Sequence, residues 1–149
     1  MWSDTFLLAE RAHFLRVGAW GALCVLAGTA VIAALTVRRG RGSSPLLLHF
    51  AAQTAAWGTL ELIYVAISLH GLAERDVGSV ARLANQIWLY SGLDIGLIGV
   101  GAAIAICGWK FARRLGAVGA GIGIVIQGLG LLTLDLYFII IIARSVGPR

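Results

Sequence analysis

Three acidic residues stand where acids are expensive. Glu61, Asp94 and Asp135 each lie inside a long apolar run of the 149-residue chain. Each has a glutamine eight residues before it: Gln53-x3-Trp57-x3-Glu61, Gln86-x3-Tyr90-x3-Asp94 and Gln127-x3-Leu131-x3-Asp135. On a helix, residues four apart share a face, and residues eight apart differ by about 80° around the axis. The spacing therefore predicts three helices, each with a polar stripe of an amide, a middle side chain and an acid. An amide N–H can donate to a carboxyl oxygen, so stripes on neighbouring helices can satisfy one another. Asn85, Ser91, Thr54 and Thr133 are candidates to extend that network.

The chemistry open to such a set is uptake of a proton or a cation. A charged carboxylate at the centre of a spanning helix costs about 2.5–3.5 kcal/mol on insertion scales. Three facing one interior cannot all keep their charge cheaply. Either one or two carry a proton at neutral pH, or a cation neutralises them. His13 or Arg16 could supply a counter-charge near Asp135. The candidate ion, proton or substrate site is thus Glu61, Asp94 and Asp135, with Gln53, Gln86, Gln127, Asn85, Trp57 and Tyr90 beside them. The alternative is a structural or accessory membrane subunit whose acids are satisfied internally, since polar side chains also bind helices together at about 0.6 kcal/mol per hydrogen bond. An intramembrane enzyme ranks last. The sequence holds no nucleophile–base pair, no dinucleotide motif and no ligand-spaced His/Cys set, so no catalytic residue, cofactor or metal is expected.

The elements that must hold these residues follow from composition. The chain is 59% hydrophobic and 13% charged, against about 25% charged in a soluble domain. A bilayer-crossing helix needs roughly 20 mostly apolar residues. The apolar runs predict an all-α, four-span bundle in a single membrane domain, with spans at about 13–37, 45–70, 83–109 and 115–143. Met1 to Ala12 reads as a lead lying at the interface, and span one as lacking a polar stripe. Span one ends in Arg38-Arg39 and shows no small-residue cleavage site, so it reads as a retained span rather than a signal peptide. Ser44-Pro45 is a start signal for span two, with serine as cap and proline at the first helical position. Because the chain direction alternates, counting the rise of about 1.5 Å per residue puts Glu61, Asp94 and Gln127 near one level. Asp135 comes out nearer the termini.

Charge and small residues complete the reading. The formal net charge is +5, yet the basic residues sit at helix ends and in short loops, with no basic patch interleaved with aromatics. Nucleic acid is excluded, and the bilayer is the expected partner. Lys and Arg divide evenly between the two sides, six against six. The denser group, in the linkers 38–44 and 110–114, is placed in the cytoplasm of a bacterial inner membrane, with both termini outside. Gly92, Gly96 and Gly99 form a face roughly opposite Asp94 that could meet a second copy of the chain, although packing inside the monomer is the commoner use of such faces. Cys24 and Cys107 read as buried small hydrophobes rather than a redox pair. His13, His49 and His70 read as interfacial, and Trp2, Trp109, Tyr64 and Tyr137 as aromatic belts.

Taken together, Gln53-x3-Trp57-Gly58, Gly92-Leu93-Asp94 and Gln127-Gly128-x2-Leu131-Leu132-x2-Asp135 resemble a family of small four-span bacterial membrane proteins of unknown function. The likeness covers spans two to four and implies the bundle, but no activity. The small multidrug transporters fit less well, because their key glutamate lies in the first span.

Overall fold

The computed structural model describes residues 2–37, 44–111 and 113–146. They form four helices: α1 (Trp2–Val37), α2 (Pro45–His70), α3 (Val77–Lys110) and α4 (Leu115–Val146). All four are long and apolar enough to cross a membrane. The basic residues Arg38, Arg39 and Arg41, on which part of the orientation rests, lie outside the described residues.

Local signals set the helix ends. The Ser44 hydroxyl accepts from the Leu47 N–H, and Pro45 opens α2. Proline costs nothing there, because the first-turn N–H groups have no intrahelical partner. Asp76 caps α3, its carboxylate accepting from the Ser79 N–H at 2.7 Å. Between α3 and α4 the chain reverses within a few residues, with Arg113 in the left-handed region at φ 48°.

Two expected boundaries move. The lead before His13 is helical from Trp2 and continuous with the rest of α1. The reason is visible in the sequence: Phe6, Glu10, His13 (with Phe14), Val17, Gly21, Cys24 and Gly28 recur at spacings of three and four, and all are buried. Span one therefore does carry a stripe with polar members, Glu10 and His13. Likewise α3 begins at Val77, ahead of the apolar run, because the Asp76 cap starts it there. Helices of 36 and 34 residues exceed the roughly 30 Å of a hydrocarbon core, so their ends extend past it.

Glycine decides how the helices meet. In the α1/α2 seam, a Cβ on Gly21 would stand 2.9 Å from the Gly58 carbonyl oxygen, and one on Gly28 2.6 Å from that of Ala51. In the α3/α4 seam, a Cβ on Gly101 would stand 2.8 Å from the Gly121 oxygen. Only residues without a side chain allow such approach, and small residues are what membrane helices use to pack. The pairings run antiparallel in both seams, whereas α2 and α4 run parallel, with Gly116 against His49 and Gly123 against Gln53. α4 touches all three other helices and α1 also packs on α2, while among the described residues the α3 backbone comes within 8 Å (Cα to Cα) of α4 alone. Among the described residues, no Cα of α2 comes within 8 Å of one in α3. The bundle is therefore open along one edge.

At the terminal end, side chains join α1 to α3 and α4. Phe6 of α1, Val80, Leu83 and Ile87 of α3, and Phe138 and Ile142 of α4 form one buried cluster. Glu10, 1% exposed, takes a two-pronged ion pair from Arg75 in the α2–α3 connection, at 2.7 and 2.6 Å. This fork geometry is the strong form of such pairs, and it holds the Arg75 guanidinium above its ordinary value. The outer surface is rich in exposed Leu, Ile and Trp, while Thr54, Glu61, Ser91, Asp94, Gln127 and Asp135 are buried.

Candidate functional site

The open edge between α2 and α3 is a cleft of about 680 Å³. Its floor is Leu131 and Asp135 of α4 with His13 and Val17 of α1. One wall is Trp57, Leu60, Glu61 and Tyr64; the other runs from Tyr90 to Val100. The three intramembrane acids therefore line one space, each about 95% buried.

Their surroundings differ. Glu61 Oε1 accepts from Gln127 Nε2, and Gln127 Oε1 accepts from the Cys24 thiol at 3.5 Å. That chain ties α2, α4 and α1 together in the interior. Gly21 makes room for it, since a Cβ there would meet Glu61 Oε2 at 3.1 Å. Asp135 lies 3.5 Å from His13 Nε2, and the His13 ring stacks on Phe138 at 4.3 Å. Asp94 stands apart: its Oδ2 is buried without a hydrogen-bond partner, as is Oε2 of Glu61. Unpaired buried oxygens are uncommon, because each forgoes the water it bonded when exposed. Toward the termini the cleft is closed by Tyr64 and Tyr90, whose rings meet edge-on at 6.3 Å.

Several expected members fall elsewhere. Gln53 packs its chain on Gly123 and is not in the cleft. Gln86 is exposed and donates to the hydroxyl of Tyr90 on its own helix. Asn85 is exposed. Thr54, Ser91 and Thr133 return their hydroxyls to carbonyls one turn back, at 2.9, 3.0 and 2.7 Å, which removes them from any network between helices. Arg16 sits over the Tyr137 ring at 4.9 Å, so His13 is the cation candidate that reaches Asp135. Gly92 and Gly96 border the cleft beside Asp94 rather than facing away from it. Tyr64 lines the cleft, and Cys107 is exposed rather than buried.

Sequence reasoning passed over Glu10, Cys24, Tyr64 and the aliphatic wall of α3. The α1 positions had a signal, their three-and-four spacing. The α3 wall had none, because a leucine facing a cleft and one facing lipid look alike in sequence. Among the described residues, no three His, Cys, Asp or Glu side chains stand close enough to hold one metal ion. The acids share a space without forming a coordination cage.

Four apolar, membrane-length helices around a set of buried polar side chains define the class: by length and composition, a multi-pass membrane protein. The chain belongs to a family of unknown function, DUF6992, whose match covers residues 16–136. Glu61, Asp94, Asp135 and Gln127 fall inside that stretch; Glu10 and His13 precede it. No curated protein and no solved structure matches the chain.

Proposed function

We propose that the bundle handles protons, or a cation in exchange for them, at Glu61, Asp94 and Asp135, as part of a transport activity. The observation that carries this reading is Asp94: a buried carboxyl with an oxygen that meets no donor, facing an open cleft. Ionisable groups buried in spanning helices are rare and expensive, and they mark ion pathways and proton relays. The titratable groups around the cluster are His13 and Cys24 from α1, Tyr64 from α2 beside Glu61, Tyr90 from α3 beside Asp94, and Asp135 from α4. Among the described residues no three His, Cys, Asp or Glu side chains could hold one metal ion, which favours a proton over a bare metal ion. The protein acts in the inner membrane of a bacterium, with the linkers 38–44 and 110–114 on the cytoplasmic side.

The test is dissipation of a pH gradient in liposomes carrying the purified protein. Wild type should dissipate it faster than Asp94→Asn, with Glu61→Gln and Asp135→Asn also slowed. Equal rates in all four would overturn the reading. A second reading has its own support: Glu61 is held by Gln127 and Asp135 lies beside His13, as internally satisfied acids of a structural subunit would be. It expects equal proton rates and lowered stability in the Glu61 variant.

A further inference from the structure

We infer that the cleft between α2 and α3 is a binding site for an amphipathic organic cation: one positive head, seated on Asp94, and an apolar body lying along α3. This rests on the reading that the acids of the cleft hold exchangeable charge, and it names what exchanges with the proton.

Size comes first. A space of about 680 Å³ lies within the roughly 300–1,000 Å³ typical of small-molecule sites and is far larger than a bare ion needs. Charge comes second. The lining contains three carboxyl groups, one histidine and no lysine or arginine, so an anion is repelled and a cation attracted. Recognition by coordination is closed, since the acids do not converge on one point. Recognition of a delocalised or shielded charge needs no such convergence.

The wall chemistry agrees. Leu60, Leu93, Leu97, Val100 and Leu131 offer an apolar bed, and Trp57 and Tyr64 offer aromatic surface suited to a cation. Gly92 and Gly96 leave α3 bare beside Asp94; a Cβ on either would meet nothing within 4 Å. Asp94, a residue 5% exposed, lines the cleft with a carboxyl whose buried Oδ2 meets no donor, and its charge is the one a positive head would pair with. A lipid tail would fill the apolar bed and leave that oxygen unmet. The edge is open because α2 and α3 stay apart, and Leu60, Leu93 and Val100 on its lips are exposed. Spanning helices place that opening against lipid, where amphipathic cations concentrate.

The probe is tetraphenylphosphonium, measured by equilibrium dialysis against the purified full chain in detergent. Tetraphenylborate, of the same shape and opposite charge, is the control. Saturable binding of the phosphonium alone is expected, weakened at least about 10-fold in Asp94→Asn, a loss of about 1.4 kcal/mol. It should also be abolished in Gly96→Phe, which adds bulk at a position bordering the cleft where a Cβ meets nothing within 4 Å; helix content and unfolding midpoint verify that each variant folds. Equal binding of the borate, or no change in Asp94→Asn, overturns the inference in favour of an apolar groove for lipid tails. No phosphonium binding, with a dimer that Gly96→Phe converts to monomer, overturns it in favour of a second copy. The liposome assay separates the two proposals. Asp94-dependent proton flux without phosphonium binding defeats this inference alone. Asp94-dependent binding with flux insensitive to Asp94 supports the site and defeats proton handling alone.

Discussion

The α1/α2 seam and the α2/α3 edge use the same ingredients to opposite ends. In the seam, Gly21 and Gly58 face backbone at contact distance, and the acid beside them, Glu61, is bonded to Gln127. Along the edge, Gly92 and Gly96 face nothing within 4 Å, and the acid beside them, Asp94, has an oxygen with no donor. Glycine lets helices close in one place and leaves a wall bare in the other. Glu61 is a tie through Oε1 and, like Asp94, keeps one oxygen without a donor. The residue types do not distinguish these uses; the partner helix does.

The comparison can be broken first where the packed side is most costly to disturb. Arg75→Ala strands the buried Glu10, and losing one partner of such a pair costs about 3 kcal/mol, the low end of the range because Arg75 is 29% exposed. Unfolding in mixed detergent should show this as the largest loss. Next, Gly101→Ala should cost about 1–3 kcal/mol, because its Cβ would enter the Gly121 carbonyl. Gly96→Ala should instead leave stability unchanged or raise it by up to about 1 kcal/mol, the helix preference of alanine over glycine. Equal effects of the two would erase the distinction between seam and edge. Gln127→Leu should cost about 1–2 kcal/mol by leaving Glu61 unsatisfied, whereas Asp94→Asn removes no bond made by Oδ2 and should cost less.

The smallest effect expected is at the α3 cap. Hydrogen bonds from Ser79, its hydroxyl foremost, hold the exposed Asp76 carboxyl below its ordinary value. A lowered value means the cap stabilises fully above the ordinary carboxyl range, near about pH 4, and loses that contribution as pH falls through the lower folded value. Stability measured against pH should show this acid-side decline in wild type. Asp76→Asn, which caps without titrating, should lack that component.

Much of this architecture was legible beforehand. Four apolar runs of membrane length could only be helices, because a spanning segment must satisfy its own backbone. The level count placed Gln127 level with both Glu61 and Asp94, since rise per residue is nearly constant; the partner it takes is Glu61. The open edge was not legible. Packing between membrane helices and exposure to lipid both favour Leu, Ile and Val, so periodicity cannot say which helix lacks a neighbour. Gln53 and Gln86 fell outside the cleft for a related reason: eight residues drift about 80° around the axis. On α2 and α3 the stripe that aims its acid into the cleft turns its glutamine aside, whereas α4 packs on all three other helices and keeps both Gln127 and Asp135 buried.

The central claim is that the acids of the open edge exchange a proton. Infrared difference spectroscopy of the protein in lipid reads this directly, through the carbonyl stretch of the protonated carboxyl. Across about pH 5 to 9, spanning the titration range of perturbed carboxyls, the band should change with pH, and Asp94→Asn should remove a distinct part of that change. A spectrum in which the cleft carboxyls show no pH-dependent band, with wild type and Asp94→Asn superimposable throughout, would contradict it.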